Sequence, residues 1–269
     1  MPTFKLLIEY EGTRYSGWQT QTNTSRTIQG HLQRAADELV GRASLGGAGR
    51  TDAGVHAVGQ VAHLRTSRRI RPEELEWGLN ERLPHDIHVL SAETAKEGFH
   101  ARRDATARVY VYQISRRRSA LAKSFVWWVK DRLDERRMTE AAALLEGKHD
   151  FAAFADKRAA GESTLVVVDR VEVGEAGDLI LIRVAASHFL WKMVRKLVAA
   201  LAEVGRKGME KSEIESRLRE GGPRFEPTAP PSGLFLESVH YRGMETGRRL
   251  EPIVPVGRPE GSWQRAKKH

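Results

Sequence analysis

Residues 46–56 read Gly-Gly-Ala-Gly-Arg-Thr-Asp-Ala-Gly-Val-His, four glycines in eleven residues. Glycine at 46, 47, 49 and 54 lets the backbone take positive φ or come close to a ligand. A nucleotide-phosphate loop would need glycine five places before Gly49 and lysine directly after it. Ser44 and Arg50 stand there instead, so that reading fails. What remains is Asp52 between glycines, with Arg50 two residues earlier. A nearby guanidinium lowers a carboxylate's pKa, and an ionised carboxylate suits a nucleophile or general base. The plainer alternative is a structural turn in which both side chains serve only the loop.

Toward the N-terminus, Phe4, Leu6, Ile8 and Tyr10 alternate and predict a strand, followed by a polar loop over 11–26. Thr27 is a cap for a helix with Ile28, Leu32, Ala35 or Ala36, and Leu39 on its apolar face. Val58–Leu64 reads as a strand, Pro72 opens a helix through Leu75, Leu79 and Leu83, and Ile87–Leu90 is a short strand. The second half holds a strand over 107–115, a helix opened by Thr139 and ended by Gly147, and a hairpin of 165–173 with 179–184. A long helical period over 189–204, a short helix over 212–218 and a closing strand over 234–241 complete it. Strands and helices mix without regular βαβ spacing, so the expected class is α+β, in two similarly sized halves meeting near Ala105.

The chain has 269 residues, a net charge of +9 and no cysteine. The mixture is globular, and the absence of cysteine excludes a disulfide framework, a thiolate nucleophile and Cys-ligated zinc. Glu9 and Glu11 interrupt the N-terminus where a signal peptide needs an apolar run, and no stretch reads as a membrane span. A cytoplasmic protein is expected. The positive charge points to a polyanion, nucleic acid before membrane. Residues 246–269 carry +4 with three prolines, which reads as a mobile basic tail or an RNA-tracking arm. Residues 98–130 carry +7 interleaved with Phe99, Tyr110, Tyr112, Phe125, Trp127 and Trp128. That is either a cleft that binds phosphates and stacks bases, or a solvated face over core aromatics.

Other constellations point less far. His85, Asp86 and His88 are metal-ligand types, but nothing completes a site and no metal is expected. Lys148-His149-Asp150-Phe151 reads as a helix end, and Trp191 and Met193 read as core. His100 and Arg102 are either RNA contacts or a surface pair at the entry to the Tyr110 strand.

The motif Gly49–Ala57 resembles the catalytic motif of the bacterial tRNA pseudouridine synthase A family. YEGTRYSGWQTQ, TIQGHLQRA, GAGRTDAGVHAVGQVAH, LNERLPHDI, FHARRDATARVYVYQI, LLEGKHDFAAFA, FLWKMVRKLV and PSGLFLESVHY match the family pattern in order. Trp191-Lys192 departs from the Tyr-His or Arg-Asn often found before MVR, and SALAKSFVWWVK lacks a proline common there. The resemblance implies a pseudouridine synthase fold: two related halves with antiparallel or mixed sheets, flanking helices and a basic central cleft. Its divisions would be residues 1–105 with the catalytic aspartate, 106–245 completing the site, and the tail 246–269. It maps the family's aspartate to Asp52 and its active-site tyrosine to Tyr110. It also maps its arginines to Arg50 and Arg195, and its pocket leucines to Leu234 and Leu236. It further implies a homodimer acting on uridines 38, 39 and 40 of the tRNA anticodon stem-loop.

The reaction breaks N1–C1′ of uridine, turns the base, forms C5–C1′ and releases the C5 proton. Nothing is oxidised or consumed, so no cofactor is expected. An ionised Asp52 would act at C1′ as nucleophile, as in retaining glycoside chemistry, or take the 2′ proton toward a glycal. Tyr110 would stack on the flipped base and offer a hydroxyl for proton removal at C5. Arg195 would anchor a phosphate or pair with Asp52; Arg50 would do either, or hold the flipped nucleotide's backbone. The rival function is a non-catalytic RNA-binding or chaperone protein of the same fold.

Overall fold

The first strand hides every second side chain. A computed structural model of the chain describes residues 1–156, 163–219, 221–244 and 249–257. In β1 (Thr3–Tyr10) Phe4, Leu6, Ile8 and Tyr10 are buried, and Lys5, Leu7 and Glu9 on the other face are half-buried. Antiparallel pairing with β3 (His56–Thr66) sets Phe4 opposite Leu64 and Leu6 opposite Ala62, so the apolar faces coincide. β4 (Ile87–Thr94) pairs with the other edge of β1, and β2 (Ala43–Gly47) with β3.

The second half adds β5 (Ala105–Ser115), the short β6 (Trp127–Trp128), β7 (Gly147–Asp150), β8 (Leu165–Ala176), β9 (Leu179–Ala186) and β10 (Leu234–Tyr241). Among the described residues these form one ten-stranded sheet in the order β4-β1-β3-β10-β5-β9-β8-β7, with β2 on β3 and β6 on β5. β10 lies between β3, which it pairs in parallel, and β5, which it pairs antiparallel. The last strand of the sheet thus joins both halves.

Helices cover the face that carries Tyr110, Tyr112 and Ile114. α1 (Ile28–Val40) starts where the Thr27 hydroxyl accepts the Gly30 N–H at 3.2 Å, a cap worth about 1 kcal/mol. α2 (Pro72–Asn80) buries Leu75 and Leu79, and α3 (Glu135–Ala142) buries Met138, Ala141 and Ala142. α4 (Met193–Gly205) is the most deeply set, with Met193, Leu197, Leu201 and Val204 sealed in the main core; α5 (Lys211–Leu218) adds Ile214. The opposite face of β9 is covered by a small cluster, Leu179 and Leu181 with Ala122 and Val126, against which Leu250 and Val256 pack.

Several local expectations are corrected. The helix expected to open at Thr139 begins at Glu135, because the Asp134 carboxylate accepts the Arg137 N–H at 3.1 Å. It ends before Gly147, whose φ of +101° turns the chain into β7. The Lys148-His149-Asp150 stretch is therefore a strand, with His149 opposite Val166, rather than a helix end. The period over 189–204 becomes helical only from Met193, since Lys192 sits at φ 60°. Gly46 and Gly47 belong to β2, where an added Cβ would lie 2.6 Å from the His63 ring and 2.5 Å from the Trp18 indole. Those two glycines admit neighbouring rings.

Part of the stretch expected as a mobile basic tail is docked. Fully buried Gln113 accepts the Ile253 N–H at 2.7 Å and the Val254 N–H at 3.1 Å, and donates to Phe125 and Val254 carbonyls. Residues 249–257 are thereby strapped to β5, while 246–248 and 258–269 lie outside the described residues.

Candidate active site

Asp52 stands on the connection from β2 to β3, and the polar loop 11–26 braces it. The Trp18 N–H donates to the Thr51 carbonyl at 3.1 Å, and the Tyr10 hydroxyl lies 2.8 Å from the Thr51 hydroxyl. Gln60 donates to the Gly49 carbonyl at 3.0 Å, and the Val55 N–H closes the turn onto the Asp52 carbonyl at 3.2 Å. Burial pushes the Tyr10 phenol up to about 12, so it stays a neutral partner in this brace. Two glycines admit the contact between loops: a Cβ on Gly12 would lie 1.9 Å from the Val55 carbonyl oxygen, and one on Gly17, at φ +92°, 2.6 Å from the Thr51 carbonyl oxygen.

His56 ties three segments together. Its Nδ1 accepts the Gly12 N–H at 3.1 Å, so its proton sits on Nε2 and is donated to the Ser124 carbonyl at 2.9 Å. Burial holds the imidazole below its ordinary pKa and favours this neutral form.

The opposite wall comes from the start of α4. Arg195 donates from Nη1 to Asp52 Oδ2 at 3.3 Å and from Nε to the Ala229 carbonyl at 2.8 Å, while the Ala229 N–H returns a bond to the Arg195 carbonyl. Trp191 donates its indole N–H to Asp52 Oδ1 at 3.0 Å. The loop 227–233 supports both walls: the Tyr112 hydroxyl donates to the Pro230 carbonyl at 2.8 Å, and a Cβ on Gly54 would press against Pro231.

Tyr110 forms the floor. Its ring packs edge-on to Phe189 at 5.2 Å, and Leu236 and Leu234 lie opposite Tyr110 and Tyr112 on β10 with the same face inward. Burial first, then the Tyr10 hydroxyl and the Asp52 carboxylate, push the Tyr110 phenol far above its ordinary value. It is a neutral phenol at physiological pH.

The expected site residues thus separate into two groups. Asp52, Arg195, Tyr110, Leu234 and Leu236 come together. Arg50 turns away from Asp52 and donates from Nε to Gln19 Oε1 at 3.0 Å, so the guanidinium on the carboxylate is that of Arg195. The +7 run is also divided. Arg116 pairs with Glu135 and Glu175, and Arg117 with Asp178, so both serve the fold. Half-buried Arg108 binds the Ala48, Arg102 and Ser187 carbonyls and fixes the base of the Asp52 loop. Arg102 and Arg103 remain exposed, and His100 lies against His63 with ring centroids 4.5 Å apart. Asp86 is bonded to Tyr15 and Arg14, and no group of three metal-ligating side chains occurs among the described residues.

Trp191, expected as core, is the contact that sequence reasoning missed. Its spacing of four residues from Arg195 carries no helical signal, because the chain is helical only from Met193 and the left-handed Lys192 lies between them. Met193, expected with it, is fully buried.

Residues 6–103 and 141–242 match the family described as tRNA pseudouridine synthase. Over 260 residues the chain is 41% identical to the tRNA pseudouridine synthase A of Agrobacterium fabrum, covering 94% of this chain and 97% of the relative. The relatives of the same name from Xanthobacter autotrophicus and Rhodopseudomonas palustris are 42% and 43% identical over 246 residues, each alignment covering 90% of this chain and all of the relative. With matches that span both walls of the Asp52 cleft, this chain belongs to the tRNA pseudouridine synthase family.

Proposed function

We propose that this protein isomerises uridine to pseudouridine at positions 38, 39 and 40 of the tRNA anticodon stem-loop, with Asp52 as the nucleophile. The observation that carries the reading is the Asp52 carboxylate held between Arg195 Nη1 and Trp191 Nε1 beside the buried Tyr110 ring. In the first step a carboxylate oxygen bonds to C1′ as the N1–C1′ pair leaves with the uracil. The base turns over Tyr110, C5 bonds to C1′, and the C1′–O pair returns to the carboxylate. Loss of the C5 proton, relayed by the Tyr110 hydroxyl, and gain of a proton at N1 restore the conjugated uracil ring, so the product is an isomer of the substrate. Arg195 holds the carboxylate aimed, Leu234 and Leu236 line the uracil pocket, and Arg50 holds the backbone of the flipped nucleotide. Residues 1–105 bring Asp52 and residues 106–245 bring Tyr110 and Arg195.

The same reading carries a homodimer working in the cytoplasm without a cofactor. No helix among the described residues is long and apolar enough to cross a membrane. The test is tritium release from C5-labelled tRNA in the presence of chelator. Asp52→Asn should keep tRNA affinity within a few-fold and abolish release; substantial residual pseudouridine would remove Asp52 from the central role.

A further inference from the structure

The Asp52 carboxylate is gripped by two unlike donors. Arg195 meets Oδ2 with a cation at 3.3 Å, a long contact that by itself leaves the carboxylate plane free to turn. Trp191 meets Oδ1 with a neutral N–H at 3.0 Å. The indole has no acceptor and does not ionise in the working pH range, so it neither takes a proton from Asp52 nor lets go as pH changes.

The indole is itself held in place. The Asp156 N–H donates to the Trp191 carbonyl at 3.2 Å. Lys192 Nζ lies 4.7 Å over the Trp191 ring and is anchored by Asp156 Oδ2 at 3.0 Å. Lys192 takes a left-handed φ of 60° to make this arrangement, a conformation that side-chain-bearing residues adopt at a cost. The strained residue, the ion pair and the cation over the ring all converge on one indole, whose polar atom faces Asp52.

We propose that Trp191 is a positioning residue for Asp52, its indole N–H fixing the carboxylate in a single orientation toward the substrate. The inference rests on Asp52 as nucleophile. Near-attack geometry is the step that a freely turning carboxylate would lose, while tRNA binding would be untouched.

Two substitutions separate this role from simple packing. Trp191→Phe keeps a ring and removes the N–H; kcat should fall about 10- to 100-fold with KM for tRNA within twofold. Trp191→His restores a ring N–H and should recover part of kcat. Its kcat should also gain a step between about pH 5.5 and 8, absent in the parent and in Trp191→Phe, as imidazole changes charge beside Asp52. If Trp191→Phe turns over within twofold of the parent, or if Trp191→His matches it in rate and pH profile, the proposal is overturned. A folding-independent readout is the ¹⁵N–¹H spectrum of the indoles of the six tryptophans. The signal missing in Trp191→Phe should move in Asp52→Ala, and an unmoved signal would refute the bond. If Asp52→Asn stays active, the nucleophile reading fails; if it is dead while Trp191→Phe is full, only the Trp191 inference falls.

Discussion

Replacing Gly12 by alanine should cripple the enzyme from a position that touches no substrate atom in the proposed reaction. The new Cβ would lie 1.9 Å from the Val55 carbonyl oxygen and 2.6 Å from its carbon. Both are backbone atoms, so no side chain can swing away. An ordinary contact at 3.4 Å requires the two loops to separate by about 1.5 Å. Val55 is buried, and its N–H holds the Asp52 carbonyl, so the displacement passes directly to the turn carrying Asp52. It also stretches the bond from the Gly12 N–H to His56. A misplacement of about 1 Å costs roughly 100-fold in rate, and overpacking costs about 1–3 kcal/mol of stability. For a chain of this size each kcal/mol is about 2–4 °C in Tm.

Gly49 is the control, because its Cβ would meet nothing within 4 Å and its φ is not left-handed. Gly49→Ala should melt at or slightly above the parent temperature. The assay is tritium release under single-turnover conditions, paired with thermal denaturation. A Gly12→Ala protein with parental rate and Tm would refute the reasoning, as would a Gly49→Ala protein damaged equally.

Three further outcomes are expected. Arg195→Lys should lower kcat about 10- to 100-fold, because one ammonium cannot span both the Ala229 carbonyl and Asp52 Oδ2 as the guanidinium does; parental kcat would deny Arg195 its aiming role. His63 is pushed down to about 4 by burial first, then by His100, Arg65 and Arg103, so between pH 6.5 and 4 the unfolded chain binds a proton that the folded one refuses. Stability is therefore full above pH 6.5 and falls by roughly 2–3 kcal/mol as pH drops toward 4, and His63→Asn should flatten that dependence in urea unfolding at pH 7 and 4.5. Gln113→Leu should strip the partners from Ile253 and Val254, lower Tm and speed proteolysis within 249–257; unchanged protection would mean that the strap is held by Leu250 and Val256 alone.

Much of the architecture is local and therefore readable from the chain. The alternation in β1, the Thr27 cap of α1 and the bounds of β10 depend on side chains a few residues apart, and all three are present as expected. The helix expected at Thr139 shows the limit of that reading. Apolar spacing marked the element, but the Asp134 cap sets where it starts, and the left-handed Gly147 turns the chain into a strand after it. Glycine shows it as well: residues 46, 47 and 49 look alike in sequence, yet the first two admit His63 and Trp18 and the third faces open space.

The α+β class, the loop that carries Asp52 and the strand that carries Tyr110 are legible along the chain, because period and turn chemistry act over short distances. Tertiary structure alone decided which groups meet at the carboxylate. Asp52 lies 139 residues from Trp191 and 143 from Arg195, while Arg50, nearer in sequence, bonds Gln19 through its Nε instead. It also decided that β10, from the far end of the sheet-forming chain, would seat between β3 and β5. Contacts between such distant residues are set by how the buried faces of β3, β10, β5 and α4 fit one another, and nothing in the local spacing of the chain encodes that fit.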